Sequence, residues 1–476
     1  MKKILLAGLL FGCFSTILLF STSRPLDGGL KSEKTATVNQ PIEKPKISDE
    51  QKLKMFTTLI YSRSKQTRYK LLGEIEKIWE PEFIPLLIEF IRLDADREFV
   101  WDVAELLAKK TDQKFGNDFI SWLEWLWESD PVYAGYYSNF KGTYYQHIDQ
   151  KFDKYFKNRH QTSKIRLDEI VWGGVKQDGI PPLRNPSLLD AQAAEYLSNQ
   201  DVVFGFYLNG EAKAYPKRIL AWHEFFTDTF GDQKIAGVYC TLCGTVIAYD
   251  MVHNGTFHDL GTSGFLYRSN KLMYDKATQS LWNTIEGKPV MGPLADKGIE
   301  LATYPVVTTT WGEWKKRHPD TKVLGIPTEH VRDYSEGAAY ANYFATDELM
   351  FPVPILDKRL ANKAEVLIIR ANNYRKDPLA ISISYLQRKK WYQEKIDATN
   401  FVVLSEKSGA RAFDAKNVQF EKYKKGKLID VDGHSWQIQG DELVSDHNQR
   451  LKQLASHNIF WFAWYNSYPK TRLVYR

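Results

Sequence analysis

The sequence predicts an α+β protein: an N-terminal all-helical segment, HEAT-like or bundled, followed by a β-rich domain made of two duplicated lobes. Three observations carry this prediction. Segments of helical apolar period fill the first part of the chain, short β-branched and aromatic runs broken by Gly, Asn and Asp fill the rest, and the second part matches itself. A chain of 476 residues also exceeds what one hydrophobic core usually serves, about 250–300 residues.

Residues 1–21 open with MKKILLAGLL, a basic start followed by apolar and small residues up to Ser21, which suits a signal peptide or membrane anchor. Leu10-Phe11-Gly12-Cys13 resembles a lipobox, in which Cys13 would be lipidated. The expected location is therefore outside the cytoplasm: periplasmic, or held at the cell envelope and membrane by an anchor or lipid. Residues 22–48 turn polar, with Pro25, Gly28, Gly29, Pro41 and Pro45, the composition of a flexible tether.

Residues 49–127 read as a helical domain. Ser48 and Gln51 have capping-box spacing, and Leu53, Phe56, Leu59 and Ile60 then recur at helical intervals. The same period runs through Leu71, Leu72, Ile75 and Ile78, through Ile84, Leu87, Phe90 and Ile91, and through Val100, Val103, Leu106 and Leu107. Phe119 to Trp127 adds a Trp-rich helix. Residues 128–164, rich in Tyr with little clear period, are expected to connect this domain to the next.

The self-match defines a first lobe over residues 165–335 and a second over 336–476. WGEWKKRHPDTKVL from Trp311 superposes on FWFAWYNSYPKTRLV from Phe460, with Trp311 on Trp461, Trp314 on Trp464, Pro319 on Pro469 and Thr321 on Thr471. Ser280-Leu281-Trp282 then faces His434-Ser435-Trp436, and Ala248-Tyr249-Asp250 faces Ala412-Phe413-Asp414. Strands are expected at Val202 to Leu208, Thr245 to Tyr249, Val366 to Ile369 and Ile381 to Tyr385, and helices at Pro216 to Thr229 and Thr309 to Arg317.

Composition narrows the function. The +6 formal charge is spread over 64 basic and 58 acidic residues with no arginine-rich run, so no nucleic-acid partner is expected. Cys13, Cys240 and Cys243 are the only cysteines, too few for an exported fold stapled by disulfides. The pair in YCTLC is therefore read as local chemistry. Sliding the second lobe beneath the first puts Leu404 under Cys240, Lys407 under Cys243 and Tyr392 under His223, so the thiols and His223 belong to one lobe and the second lobe is degenerate. Residues shared by both lobes are folding requirements, and those found in one lobe are functional candidates.

A C-x-x-C pair can cycle between dithiol and disulfide, with Cys240 attacking and Cys243 resolving, or can hold a metal ion. Gly244 and the β-branched residues after it suggest a turn entering a strand, not the helix start of a thioredoxin. His223 or a lysine would then have to lower the attacking thiol's pKa, with His223 and Glu224 handling protons. No cofactor is firmly predicted. In the metal reading Cu or Zn would sit on Cys240, Cys243 and His223, with Glu224, His253 and His258 as further ligands. A third reading is a non-enzymatic envelope module that binds a partner through aromatic faces. Covalent haem is excluded because Gly244 follows Cys243, and Gly261-Thr262-Ser263-Gly264 is not a serine-hydrolase elbow.

DGIPPLRNP from Asp178, GEAKAYPKRILAWHEFFTD from Gly210, YCTLCGTVIAYD, SGFLYRSNKLMYDKATQSLW from Ser263 and WGEWKKRHPDT together resemble the bacterial family called domain of unknown function 3179. The resemblance covers about residues 165–476 and leaves out the helical front end. Some members of that family are described as selenoproteins with selenocysteine in the C-x-x-C region. That implies a reactive chalcogen at this turn and favours the redox reading, with an unidentified thiol, disulfide or electron partner.

Overall fold

Helix starts form where a side chain takes up N–H groups that the first turn leaves unpaired. In this computed structural model, which describes residues 47–476, Ser48 opens the helix Asp49–Tyr61 with a full capping box. Its Oγ accepts from the Gln51 N–H at 3.3 Å, and Gln51 Oε1 accepts from the Ser48 N–H at 2.9 Å. Ser64, Asp96 and Asp118 cap Lys65–Lys77, Arg97–Thr111 and Phe119–Glu128, and Phe83–Leu93 lies between. Their apolar faces meet in one core through Phe56, Leu59, Ile75, Leu87, Phe90 and Val103. The expectations for a signal or anchor, a lipidated Cys13 and most of the tether lie outside the described residues. Among those described, no helix is long and apolar enough to cross a membrane.

Residues 128–164 join the helices to the lobes and also build a helix of their own, Tyr137–Tyr145. Its period becomes visible once Phe140 and Lys141 are counted: Tyr137, Phe140, Lys141, Tyr144 and Tyr145 follow helical spacing. Lys141 is wholly buried and pairs with Glu89, which also accepts from the hydroxyls of Tyr137 at 3.1 Å and Tyr145 at 2.7 Å. Phe152 and Phe156 then pack on Phe265, at centroid distances of 4.7 and 5.1 Å, which merges this core with that of the first lobe.

The β-rich part is mixed with short helices, so the chain is α+β. In residues 165–335 one sheet runs in the order Val307–Thr310, Val202–Leu208, Glu211–Pro216, Lys322–Leu324, Leu188–Asp190. The first two pairings are antiparallel and the third is parallel. In residues 336–476, Ser456–Phe460, Glu365–Ile369, Leu379–Ser382 and Arg472–Val474 follow the same order and directions. A helix connects the first and fourth strands of that order each time, Trp311–Arg317 and Trp461–Ser467. A buried Trp in each donates its indole N–H to a threonine, Trp314 to Thr321 and Trp464 to Thr471, both at 2.9 Å.

Each sheet has an antiparallel meander beside it. One comprises Phe225–Phe230, Gln233–Cys240 and Thr245–Asp250; the other comprises Trp391–Ile396, Thr399–Glu406 and Gly409–Asp414. Two predicted elements change kind partway. The helix expected over 216–229 ends at His223, and Phe225–Phe230 is a strand whose aromatic and β-branched residues favour pleated packing. The strand expected over 381–385 ends at Ser382, whose Oγ caps the helix Ile383–Lys389.

The lobes meet along the edges that lead to the cysteines. Val306 N–H donates to Ser456 O at 2.9 Å. Thr245 Oγ1 lies 2.9 Å from His457 Nδ1, and Arg370 donates to the other ring nitrogen at 3.1 Å, so Nδ1 carries the proton.

Candidate functional site

The strand Gln233–Cys240 delivers Cys240 as its last residue. A single 3-10 turn, Thr241–Cys243, follows, and Gly244 at φ +60° leads into Thr245–Asp250. This is the turn into a strand expected from the sequence. Both thiols are buried, at 1% and 0% exposure. Their sulfurs are 2.6 Å apart, far inside a non-bonded separation and near the bond of about 2.05 Å that a disulfide makes.

A second hairpin supplies the surroundings. Leu260–Tyr267 and Asn270–Asp275 are joined by Arg268 and Ser269, both at positive φ (50° and 61°), as a two-residue hairpin turn requires. Arg268 anchors this turn to Glu169 at 2.6 Å and to Asn466 O of the second lobe at 2.8 Å. The turn brings Asn270 Nδ2 to 3.1 Å from Cys243 Sγ and directs that sulfur toward Ser269 O at 3.6 Å. Lys271 follows. Its backbone N–H reaches Cys240, and its buried ammonium pairs with Glu224 Oε2.

Glu224 caps the helix Lys217–His223 in the left-handed conformation, φ 55°, which turns its side chain inward. It is buried, and its Oε1 accepts from Thr241 Oγ1 at 2.9 Å and Tyr340 Oη at 3.0 Å. The charges sort the two sulfurs. Burial pushes the Cys240 thiol up, but the hydrogen bond from Cys243 and the N–H and charge of Lys271 outweigh it and hold Cys240 below its ordinary range. Burial and the adjoining Cys240 sulfur push Cys243 well up. Of the two sulfurs, Cys240 is the one whose thiolate the surroundings favour, and Cys243 the one that they keep protonated.

A cavity of about 60 Å³ opens onto Cys240, lined among others by Glu224, Thr241, Lys271, Tyr340 and Phe351. The last two belong to the stretch that leads from the first lobe's final strand to the second lobe's first. Tyr343 of the same stretch donates to Leu242 O at 2.6 Å, and Phe460 packs on Gly244. The second lobe therefore helps to wall the site.

Of the residues singled out from the sequence, Cys240, Cys243 and Glu224 come together. His223 does not hydrogen-bond to either thiol. Its Nδ1–H donates to Pro181 O at 2.8 Å and its Nε2 accepts from Tyr334 Oη at 2.6 Å, and burial keeps its pKa below the usual value. His253 sits by Asn254, and His258 lies near Asp275 and against Trp282. Among the described residues, no group of three His, Cys, Asp or Glu side chains close enough to share a metal includes the cysteines.

Lys271, Asn270 and Tyr340 were not singled out. Lys271 and Asn270 stood in the SNKLMYD run without a spacing that tied them to the cysteines; the hairpin register alone brings them there. In the meander of residues 391–414, Glu406 pairs with Gly409 across the turn, as Cys240 pairs with Thr245, so Leu404 stands two residues before that turn. The helices Lys217–His223 and Ile383–Lys389 both end in left-handed caps, at Glu224 and Lys390, so His223 and Lys389 each stand one residue before the cap and Tyr392 lies in the strand that follows.

Fold and site together define an α+β protein with a buried C-x-x-C dithiol walled by two lobes. Residues 177–471 match the sequence model of the family described as "Protein of unknown function (DUF3179)", and the chain belongs to that family. No curated protein and no solved structure matches it.

Proposed function

We propose that the chain is a thiol-disulfide redox protein with Cys240 as nucleophile and Cys243 as resolving thiol. The observation that carries this reading is the sulfur pair itself: buried and 2.6 Å apart, with Cys243 and Lys271 lowering the pKa of Cys240 against its burial. Cys240 attacks one sulfur of a substrate disulfide, forming a mixed disulfide while the second substrate sulfur leaves as a thiolate. Cys243 then gives up its proton and attacks Cys240 Sγ. The substrate's remaining thiolate departs, and two electrons have passed from the pair to the substrate while the one proton of Cys243 goes to an acceptor beside it. Glu224, within the same hydrogen-bond network through Thr241, is the candidate acceptor for the Cys243 proton. His223 has no part in this scheme, because its two nitrogens are engaged elsewhere.

The alternative, a Cu or Zn ion on Cys240, Cys243 and His223, is weighed by the same distance. Two thiolates on a tetrahedral zinc, with bonds of about 2.3 Å, stand about 3.8 Å apart. The sulfurs are far closer than that. We also infer that residues 165–335 and 336–476 derive from one duplicated lobe. Shared strand order, shared directions and the shared Trp–Thr bond support it. The leader-like residues 1–21 support export, with the membrane or envelope reached through an anchor or lipid.

The test is a thiol count on the purified chain before and after dithiothreitol, with Cys240→Ser and Cys243→Ser variants. Oxidised protein should gain two reactive thiols on reduction and lose them with a small disulfide. A pair that stays reduced under a disulfide excess would end the redox reading.

A further inference from the structure

In the second lobe, the five-stranded sheet of residues 420–452 carries a cluster that the thiol site does not use. His434 precedes the strand Ser435–Gln439, and Asp446 and His447 follow the strand Glu442–Ser445. The strands are antiparallel neighbours with Trp436 facing Ser445, so both imidazoles and the carboxylate fall at one end of the hairpin. His434 Nδ1 and His447 Nδ1 approach the same oxygen, Asp446 Oδ1, at 3.4 and 3.3 Å. One ligand atom from each of the three side chains lies within 4.8 Å of the others, and no other such group occurs among the described residues.

From this geometry we infer that His434, Asp446 and His447 form a binding site for a divalent late first-row transition-metal ion such as Zn²⁺. Ligands on a tetrahedral Zn²⁺, bonded at about 2.0–2.2 Å, stand about 3.3–3.6 Å apart. The two N···O distances have that length, and both exceed the usual N–H···O range of about 2.7–3.2 Å. Two imidazoles and one carboxylate select zinc, copper or nickel over calcium or magnesium, which take oxygen.

The outer partners are those of a prepared site. Asp446 Oδ2 accepts from both the N–H and the Oγ of Ser435 at 3.0 Å, which leaves Oδ1 for the ion. The His434 backbone N–H donates to Asp430 Oδ1 at 2.8 Å, and Asp430 Oδ2 accepts from the buried Trp436 indole at 2.8 Å. His434 thus hangs on a core residue through one carboxylate. The first lobe has Ser280 where the second has His434, so the cluster belongs to one lobe only. All three side chains are about half exposed, which leaves a coordination position for water or for a ligand on a second molecule.

Zn²⁺ uptake by the whole chain, measured by equilibrium dialysis with elemental analysis, tests this. The His434→Ala/His447→Ala chain should bind one equivalent fewer than the wild type, and Asp446→Ala should weaken the same equivalent at least tenfold. The replaced side chains are about half exposed, and circular dichroism of each variant should match the wild type. Equal stoichiometry in wild type and double variant overturns the site, including the case in which zinc binds only through Cys240 and Cys243.

Discussion

The ring of Phe460 stands where a side chain at Gly244 would have to go: a Cβ there would meet it at 2.5 Å. Gly244 also holds φ +60°, a conformation that costs an L-residue about 1–2 kcal/mol. Overpacking against a core ring adds about 1–3 kcal/mol. Gly244→Ala should therefore lower stability by about 2–5 kcal/mol in denaturant unfolding, and a Phe460→Ala background should remove the steric part only. An unchanged midpoint would mean that the lobes do not press together at this turn.

The two thiols should titrate far apart. In the reduced protein, thiolate absorbance should rise with one step below the ordinary value of 9.0, for Cys240, and no second step until well above it. Cys240 is stabilised as thiolate by Lys271 among others, so Lys271→Met should move the first step upward. Lys271→Met also strands the buried Glu224 charge, at a cost of about 3–5 kcal/mol. Adding Glu224→Gln should recover much of that stability while leaving the thiol step raised. Two steps that coincide would remove the division of roles between the cysteines.

Much of this site was legible in the chain, and the limits follow from what sequence period reports. Cys240 and Cys243 stood out by scarcity, and the turn into a strand followed from Gly244 and three β-branched or apolar residues. The Trp and Thr positions common to both lobes marked folding contacts, and the Trp314–Thr321 and Trp464–Thr471 bonds account for them. Lys271 was invisible because a strand's period tells which face a residue takes, not which distant strand lies beside it. His223 was drawn to the site as a residue of one lobe only, but the left-handed cap at Glu224 sends the two neighbouring side chains to different partners. The helix Tyr137–Tyr145 was hidden because its buried face includes Lys141, a charged residue in an apolar register.

Acid should destabilise the native state through its buried histidines. Burial, with Arg411 and Arg317 nearby, lowers His318 to about 4, and His223 and His457 are lowered as well. Each stays neutral in the folded chain while the unfolded chain takes up a proton near pH 6.5, so the unfolded state binds more protons in that window. Stability is full above about pH 6.5 and falls as the pH drops toward 4. Unfolding free energies measured from pH 7 to pH 4 should decline, and His318→Gln should flatten the slope by close to one proton. A slope identical to the wild type would show that His318 does not carry it.

Access to Cys240 should be separable from its ionisation. The cavity at the thiol is small, about 60 Å³, so the residues that wall it limit the approach to the sulfur. Phe351 lines it from the stretch between the lobes and makes no hydrogen bond to the ion pair, whereas Lys271 and Glu224 set the charge. Phe351→Ala should therefore open the approach and speed alkylation of Cys240 by iodoacetamide several-fold. The pH midpoint of that reaction should stay where it is, because neither Lys271 nor Cys243 has moved. Lys271→Met should do the reverse, shifting the midpoint with little gain in the limiting rate at high pH. A Phe351→Ala chain that reacts no faster than the wild type would place the barrier elsewhere. A shifted midpoint would mean that wall and charge are one system.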